Sequence, residues 1–215
     1  MVEPYARPSN LYAIDAPYPT AVSTPELRWV SPRSLLPHED IDPVVLARVR
    51  RAVLETKRMT PLIVDKETRL LLDGHHRRTV AISLGIERVP VLMINYGDSG
   101  VRVEKWYRKV DNKGILHQLM RANSSKGKYC ARLGKNVEMC GPSPYVLLWK
   151  LHWIERFLLT LGVRVIKVGE GGDVEPPSLS KKDVIRVARK GLVFPPKTTR
   201  HVYDFIIQHS PLSVA

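Results

Sequence analysis

The stretch Asp73-Gly74-His75-His76-Arg77 constrains this chain more than any other. It follows an apolar run, Pro61-Leu62-Ile63-Val64-Asp65, that turns through Lys66-Glu67-Thr68 into a second run, Arg69 to Leu72. Short runs rich in Leu, Ile and Val bounded by turn residues predict strands. Beyond the turn the spacing becomes helical from about His76 to Leu84, and Gly85 supplies the C-cap. A strand that meets a glycine and runs straight into a helix aims the unpaired N–H groups of the helix outward. That terminus carries partial positive charge, so the turn is built for an anion. His75, His76 and Arg77 add side-chain donors suited to phosphate. An aspartate cap followed by polar helix residues is the plainer reading, but Gly-His-His-Arg directly after Asp73 favours phosphate.

The flanking segments complete an α+β unit over residues 27–110. Leu27 to Val30 predicts a short strand, and residues 43–56 place Val45, Leu46, Val49, Val53 and Leu54 at helical spacing. Asp42 suits the N-cap of that helix and Pro43 its first turn. Val89–Tyr96 and Val101–Tyr107 predict two further strands. Residues 1–26 are proline-rich and predict an extended arm, whose Tyr5, Tyr12 and Tyr18 pack on some other surface. From residue 111 the character changes, and 111–215 predicts a smaller α/β domain. Residues 111–143 are polar and basic, with short strands at Tyr129–Leu133 and Asn136–Met139. A helix follows over Val146–Leu161, a strand over Val163–Val168, and a helix over Lys181–Lys190 that Gly191 ends.

Lys and Arg total 34 against 21 Asp and Glu, a net charge of +13. That balance favours anionic partners, of which nucleic acid is the commonest. The basic residues are spread along the chain, however. They are dense only at Arg48, Arg50 and Arg51 and from Lys181 to Lys190, both on helical patterns whose plain role is a solvated face. No recognition helix follows the 181–190 helix, which argues against a DNA partner. No apolar run reaches the roughly 18 residues of a membrane span. The N-terminus shows no basic region leading into an apolar one, so the chain is expected in the cytoplasm. Cys130 and Cys140 lack zinc spacing; they are either a disulfide across a hairpin or two buried thiols.

Three further features carry chemistry. Lys197-Thr198-Thr199-Arg200-His201 sets two hydroxyls among three basic residues after Pro195-Pro196. It reads equally as a second phosphate-contacting helix start or as a plain cap with exposed cations. Glu39 stands in a loop between Pro37 and Pro43, where a carboxylate beside a substrate hydroxyl acts as a general base or is simply solvated. Trp106 and Tyr107 end a predicted strand, where core packing is their ordinary role.

Residues 61–96, centred on the Asp73–Arg77 turn, resemble the ParB/sulfiredoxin superfamily. It spans nucleotide-gated DNA clamps, ATP-dependent sulfinic acid repair and small-molecule kinases. Pro37-His38-Glu39, the 73–77 turn, Trp106-Tyr107 and Val193-Phe194-Pro195-Pro196-Lys197-Thr198-Thr199-Arg200-His201-Val202 together resemble the archaeal free L-serine kinases, in the same order. The resemblance covers roughly residues 27–108 and 181–207. It implies a ParB/sulfiredoxin-like N-terminal domain, a C-terminal α/β domain and an active site in the cleft between them. It also implies transfer of a phosphoryl group from ADP or ATP to the hydroxyl of free L-serine, with Mg²⁺ bridging the phosphates. Glu39 maps onto the catalytic base. Asp73, Gly74, His75, His76 and Arg77, with Lys197, Thr198, Thr199, Arg200 and His201, map onto the nucleotide and phosphate site. Asp73 is the carboxylate for the metal, and His76, Trp106, Thr199 and Arg200 line the serine pocket. The kinases carry a second glutamate six residues beyond the base; this chain has Val45 there, with Asp40 and Asp42 nearby as replacements. The alternative is a ParB-like nucleotide-binding DNA protein. A sulfiredoxin-like enzyme needs a reactive cysteine at the turn, which this chain lacks.

Overall fold

A computed structural model describes residues 24–207 and 210–214, so the arm expected over 1–26 lies, up to residue 23, outside the described residues. β1 (Glu26–Val30) comes first. α1 (Pro43–Thr56) starts where its sequence directs: the Asp42 carboxylate accepts from the N–H groups of Val44 and Val45, and Pro43 takes the first position. β2 (Arg58–Met59), β3 (Leu62–Asp65), β4 (Leu71–Asp73), α2 (His75–Ser83) and β5 (Val89–Ile94) follow. The first sheet runs β1-β5-β3-β4, with β3 and β5 parallel and the other pairs antiparallel. β3 and β5 are buried along their whole length, as strands covered on both faces are. On one face Leu62, Val64, Val89 and Val91 meet Val53 of α1 with Val80 and Ala81 of α2. Strand alternation sends Ile63, Leu72 and Ile94 into another cluster.

The expected strand over 101–107 is two strands, β6 (Val101–Lys105) and β7 (Tyr107–Val110), broken at Trp106. α3 (Lys113–Ala122) occupies a stretch whose polar composition gave no helix; Asn112 caps it and it buries Leu116 and Met120. β8 (Tyr129–Leu133) and β9 (Val137–Gly141) form a hairpin in which Cys130 and Cys140 face each other and are disulfide-bonded. α4 (Pro144–Thr160), β10 (Val165–Val168) and β11 (Val174–Glu175) complete a sheet in the order β10-β7-β11-β8-β9. Its core joins Val110, Leu116, Met120, Met139, Leu151 and Leu158. α5 (Lys181–Arg189) opens with a capping box between Ser180 and Asp183. Its Val184 and Ala188 pack with Ile63, Leu72 and Ile94, which returns the chain to the first sheet.

β12 (Thr199–Tyr203) pairs antiparallel with β6, and β13 (Leu212–Ser213) with β2. The 197–201 segment is therefore an entry into a strand and corrects the expectation of a helix start. Thr198 and Thr199 are β-branched, and Val202 and Tyr203 follow, a composition that fits a pleated ladder better than a first helical turn. The alternative of an exposed cap also fails, because Thr198 and Thr199 are buried. The α+β class stands. Among the described residues no helix is long and apolar enough to cross a membrane.

Candidate functional site

A cavity of about 970 Å³ is lined by Glu39, Asp73–Arg77, Trp106, Pro196, Lys197 and Thr199–His201. Two backbone devices bring these distant stretches together. Asp40 N–H donates to Phe194 O at 2.7 Å and Phe194 N–H to His38 O at 2.8 Å, which zips the Glu39 loop to the strand entering from α5. β12 then carries Thr199 to His201 alongside β6, so the two basic clusters of the sequence face one cavity.

The turn at 73–77 depends on Gly74. Its φ is +104°, and a Cβ there would stand 2.7 Å from Leu62 Cγ. α2 makes its first intrahelical bond from Arg78 N–H to Gly74 O, so the amides of His75, His76 and Arg77 have no partner within the helix. The side chains of the turn are engaged within the protein. Arg77 donates to Thr60 O, Pro61 O and Asp73 Oδ2 at 2.6–3.0 Å, which ties it to the protein. His75 is buried; its Nε2 accepts from His38 N–H, and burial followed by the neighbouring His38 holds it neutral. His76 accepts from Asp42 N–H at 2.9 Å, and burial depresses its pKa against the pull of Asp42. What this turn presents is its backbone amides and the helix end, with neutral imidazoles around them.

Glu39 is held by four donors. Oε2 accepts from Lys197 N–H at 3.1 Å; Oε1 accepts from Thr198 N–H, Thr199 N–H and the Thr199 hydroxyl at 3.1, 2.5 and 2.6 Å. Its side chain is 12 % exposed. Burial raises its pKa, and the Thr199 bonds and Lys167 offset that only in part. A carboxylate with raised proton affinity, facing a cavity, is equipped to take a proton. Of the two candidates near Val45, Asp42 is engaged as the α1 cap, and Asp40 Oδ1 accepts from Ile41 N–H; all three residues line the cavity.

Trp106 sits where β6 breaks from β7. Its Nε1–H donates to Thr199 O at 3.0 Å, and Lys197 and Arg200 lie 5.9 and 5.8 Å from its ring. Arg200 pairs with Glu104 at 2.9 Å, and His201 meets Tyr96 OH at 3.0 Å. Sequence reasoning missed the groups beyond. Lys167 Nζ donates to Pro196 O at 2.6 Å and lies 3.4 Å from Glu155 Oε2, while Arg108 Nε donates to Glu155 Oε1 at 2.6 Å. Burial pushes Glu155 up, but Arg108 and Lys167 outweigh it and leave the carboxylate below its ordinary range. Two signals were present. Glu155 falls on the buried stripe Leu148, Leu151, Leu158 of α4, and Lys167 shares strand parity with Val165 of the second core.

For Mg²⁺ the residues present fit a single protein ligand. Asp73 Oδ2 is taken by Arg77, and Asp73 itself lines the cavity two residues before α2 begins. Mg²⁺ commonly binds through one or two carboxylates, with phosphates and water completing its shell.

No protein-family model matches the chain. It is 36% identical over 189 residues to a ParB-like protein of Sulfolobus acidocaldarius, covering 86% of this chain and 95% of that one. It is 26% identical to an ATP-dependent L-serine kinase of Staphylothermus marinus, covering 83% of this chain and 86% of the relative. Its fold matches that of a free serine kinase variant solved with ADP, at a TM-score of 0.72 and 20% identity over 93% of this chain and 95% of the other.

Proposed function

The chain belongs to the family of ParB-like proteins, and from that premise we propose that it is a nucleotide-dependent kinase that phosphorylates the hydroxyl of free L-serine. The observation that carries this reading is the convergence of Glu39, the open amides of α2 and the 197–201 segment on one cavity. The similarity to an L-serine kinase over most of both chains supports it. We take the nucleotide and serine to meet in the cytoplasm, in the cleft between the 27–110 unit and the domain that follows.

The amides of His75, His76 and Arg77, at the positive end of α2, receive the terminal phosphates of ADP or ATP. Gly74 gives the approach its room, and Arg77 fixes Asp73 at the edge of the turn. Mg²⁺, held by Asp73, would neutralise phosphate oxygens. Lys197 and Arg200, the latter paired with Glu104, add basic groups to the cavity next to Trp106, and with His76 and Thr199 they bound the space left for serine. Glu39 takes the hydroxyl proton as the oxygen attacks phosphorus. Positioning and charge neutralisation do most of the rest in phosphoryl transfer.

Incubation with L-serine, Mg²⁺ and either ADP or ATP, with detection of O-phosphoserine and the matching nucleotide product, tests the proposal. Product with one or both donors is expected. Absence of O-phosphoserine with both donors sinks it.

A further inference from the structure

Glu39, Thr199 and His38 form a line of side chains whose hydrogens can be counted. His38 Nδ1 lies 2.7 Å from Leu71 O. A carbonyl only accepts, so Nδ1 carries a hydrogen, and in a neutral ring Nε2 is then an acceptor. That Nε2 lies 2.9 Å from Thr199 Oγ1, which in turn lies 2.6 Å from Glu39 Oε1. A threonine hydroxyl has one hydrogen. With Glu39 ionised, it serves either Glu39 or His38, and the other contact has none. One added proton fills every gap: the Glu39 carboxyl donates to Thr199, Thr199 to His38 Nε2, and His38 Nδ1–H to Leu71 O. The line is one proton short whenever Glu39 is ionised.

Resting on Glu39 as the base, we propose that His38 is a positioning residue of the transfer, which through the Thr199 hydroxyl makes Glu39 a better acceptor for the serine proton. As serine attacks, its O–H bond breaks and the proton passes to Glu39. The serine oxygen bonds to the terminal phosphorus, and the bond from that phosphorus to the bridging oxygen breaks, leaving its electron pair on the departing nucleotide. The Glu39 carboxyl presents the proton on Oε1 to Thr199 Oγ1, and the Thr199 hydroxyl turns its hydrogen to His38 Nε2. No bond within Thr199 or His38 is broken.

The surroundings favour this direction. Burial holds His38 down to about 4, against the Leu71 carbonyl and the charge of Asp73. His75 and His201 face its ring edge-on at 4.6 and 5.4 Å and are held neutral by burial in their turn. A neutral ring with Nδ1 fixed by a carbonyl is a standing acceptor at Nε2. On the far side of Glu39, Lys167 favours the ionised carboxylate, and His76 faces it from α2. His38 and Lys167 thus pull the carboxyl towards opposite states.

Nitrogen-15 spectra of the wild-type histidine rings test the hydrogen count without any variant. A neutral His38 protonated on Nδ1 at pH 7 is expected; a ring protonated on Nε2 overturns the proposal, because the gap would then lie between Nδ1 and Leu71 O and both contacts of Thr199 would be filled with Glu39 ionised. Turnover against pH tests the consequence. Thr199→Val should lower kcat about tenfold, the size of one hydrogen bond to a reacting group. As a donor to ionised Glu39 the hydroxyl lowers the proton affinity of that carboxylate, so loss of a donor alone would move the ascending limb of kcat to higher pH; the line to His38 instead requires the limb to move to lower pH, since Glu39 loses basicity. Thr199→Ser should restore both. A lowered kcat with an unmoved limb would mean a structural role, and a limb moved to higher pH would leave Thr199 a plain donor to Glu39; either overturns the proposal. Glu39→Gln separates the two claims. Wild-type turnover in that variant removes the base itself, whereas an inactive Glu39→Gln beside an unmoved Thr199→Val limb removes only the role of His38.

Discussion

Glu39 lies between two buried polar clusters that handle charge in opposite ways. On one side stand His38, His75 and His201, three imidazoles kept neutral by burial, with His38 adding to the effect on the other two. Their ring nitrogens meet a carbonyl, a hydroxyl, a backbone N–H and a phenol. On the other side stand Arg108, Glu155 and Lys167, of which Arg108 and Glu155 are almost inaccessible, joined as an ion trio. Burial costs both clusters the hydration of their charged forms. The histidines avoid that cost by releasing protons, and the trio offsets it by pairing. The first cluster can therefore lend hydrogen bonds to a moving proton, while the second holds a fixed field beside it.

The largest effect expected comes from breaking the trio. Arg108→Leu leaves Glu155 with only Lys167 at 3.4 Å, and removing one partner of a buried pair typically costs about 3–5 kcal/mol. Denaturant unfolding should show that loss, and Arg108→Leu combined with Glu155→Leu should recover most of it. A loss below about 1 kcal/mol for Arg108→Leu would mean that the cluster is solvated and not the fixed ion set described.

Lowering the pH attacks the neutral cluster instead. An unfolded histidine binds its proton near pH 6.5, whereas folded His38 does so only near 4. Between those values the unfolded chain binds a proton that the folded one refuses, so stability falls as pH falls. His38 alone accounts for about 3 kcal/mol across that window, and His75 and His201 act in the same direction. Glu39, whose folded pKa is raised, has the opposite sign and offsets part of the loss. Unfolding midpoints at pH 7.5 and 4.5 should differ accordingly. Equal midpoints would break the contrast between the clusters.

The neutral side was more legible in the sequence than the charged one. Local rules suffice for the 73–77 turn: an apolar strand, a glycine with positive φ and a helix start lie in one continuous stretch. The Asp42 cap and the α1 boundaries were read the same way. The 197–201 segment was found as a cluster but assigned to a helix, because its pairing partner, β6, lies about a hundred residues away. Long-range pairing of that kind has no local signature. α3 was hidden by composition, although Leu116 and Met120 sit at helical spacing after Asn112. The ion trio draws on β7, α4 and β10, so each member alone looks like an ordinary surface charge. His38 stood beside the proposed base in the quoted motif, yet its acceptor role needs Leu71 O and Thr199 placed in space.

Trp106 connects the two clusters, and Trp106→Phe should give the smallest effect. Its carbonyl accepts from Arg108 Nη1 at 2.5 Å, a contact that any residue at 106 preserves. Its indole N–H donates to Thr199 O, one residue's backbone away from the hydroxyl that meets both Glu39 and His38. Phenylalanine keeps a ring between Lys197 and Arg200 but removes that donor, leaving a half-buried carbonyl to find water. One neutral hydrogen bond is worth about 1 kcal/mol, so stability should drop by about that much. If the indole transmits strand position from the ion trio to Thr199, the substitution should also raise KM for serine a few-fold while leaving the apparent pKa of kcat in place, because His38 still reaches Thr199. A shift of that pKa with unchanged KM would instead put Trp106 in the proton line. The two clusters would then act as one unit.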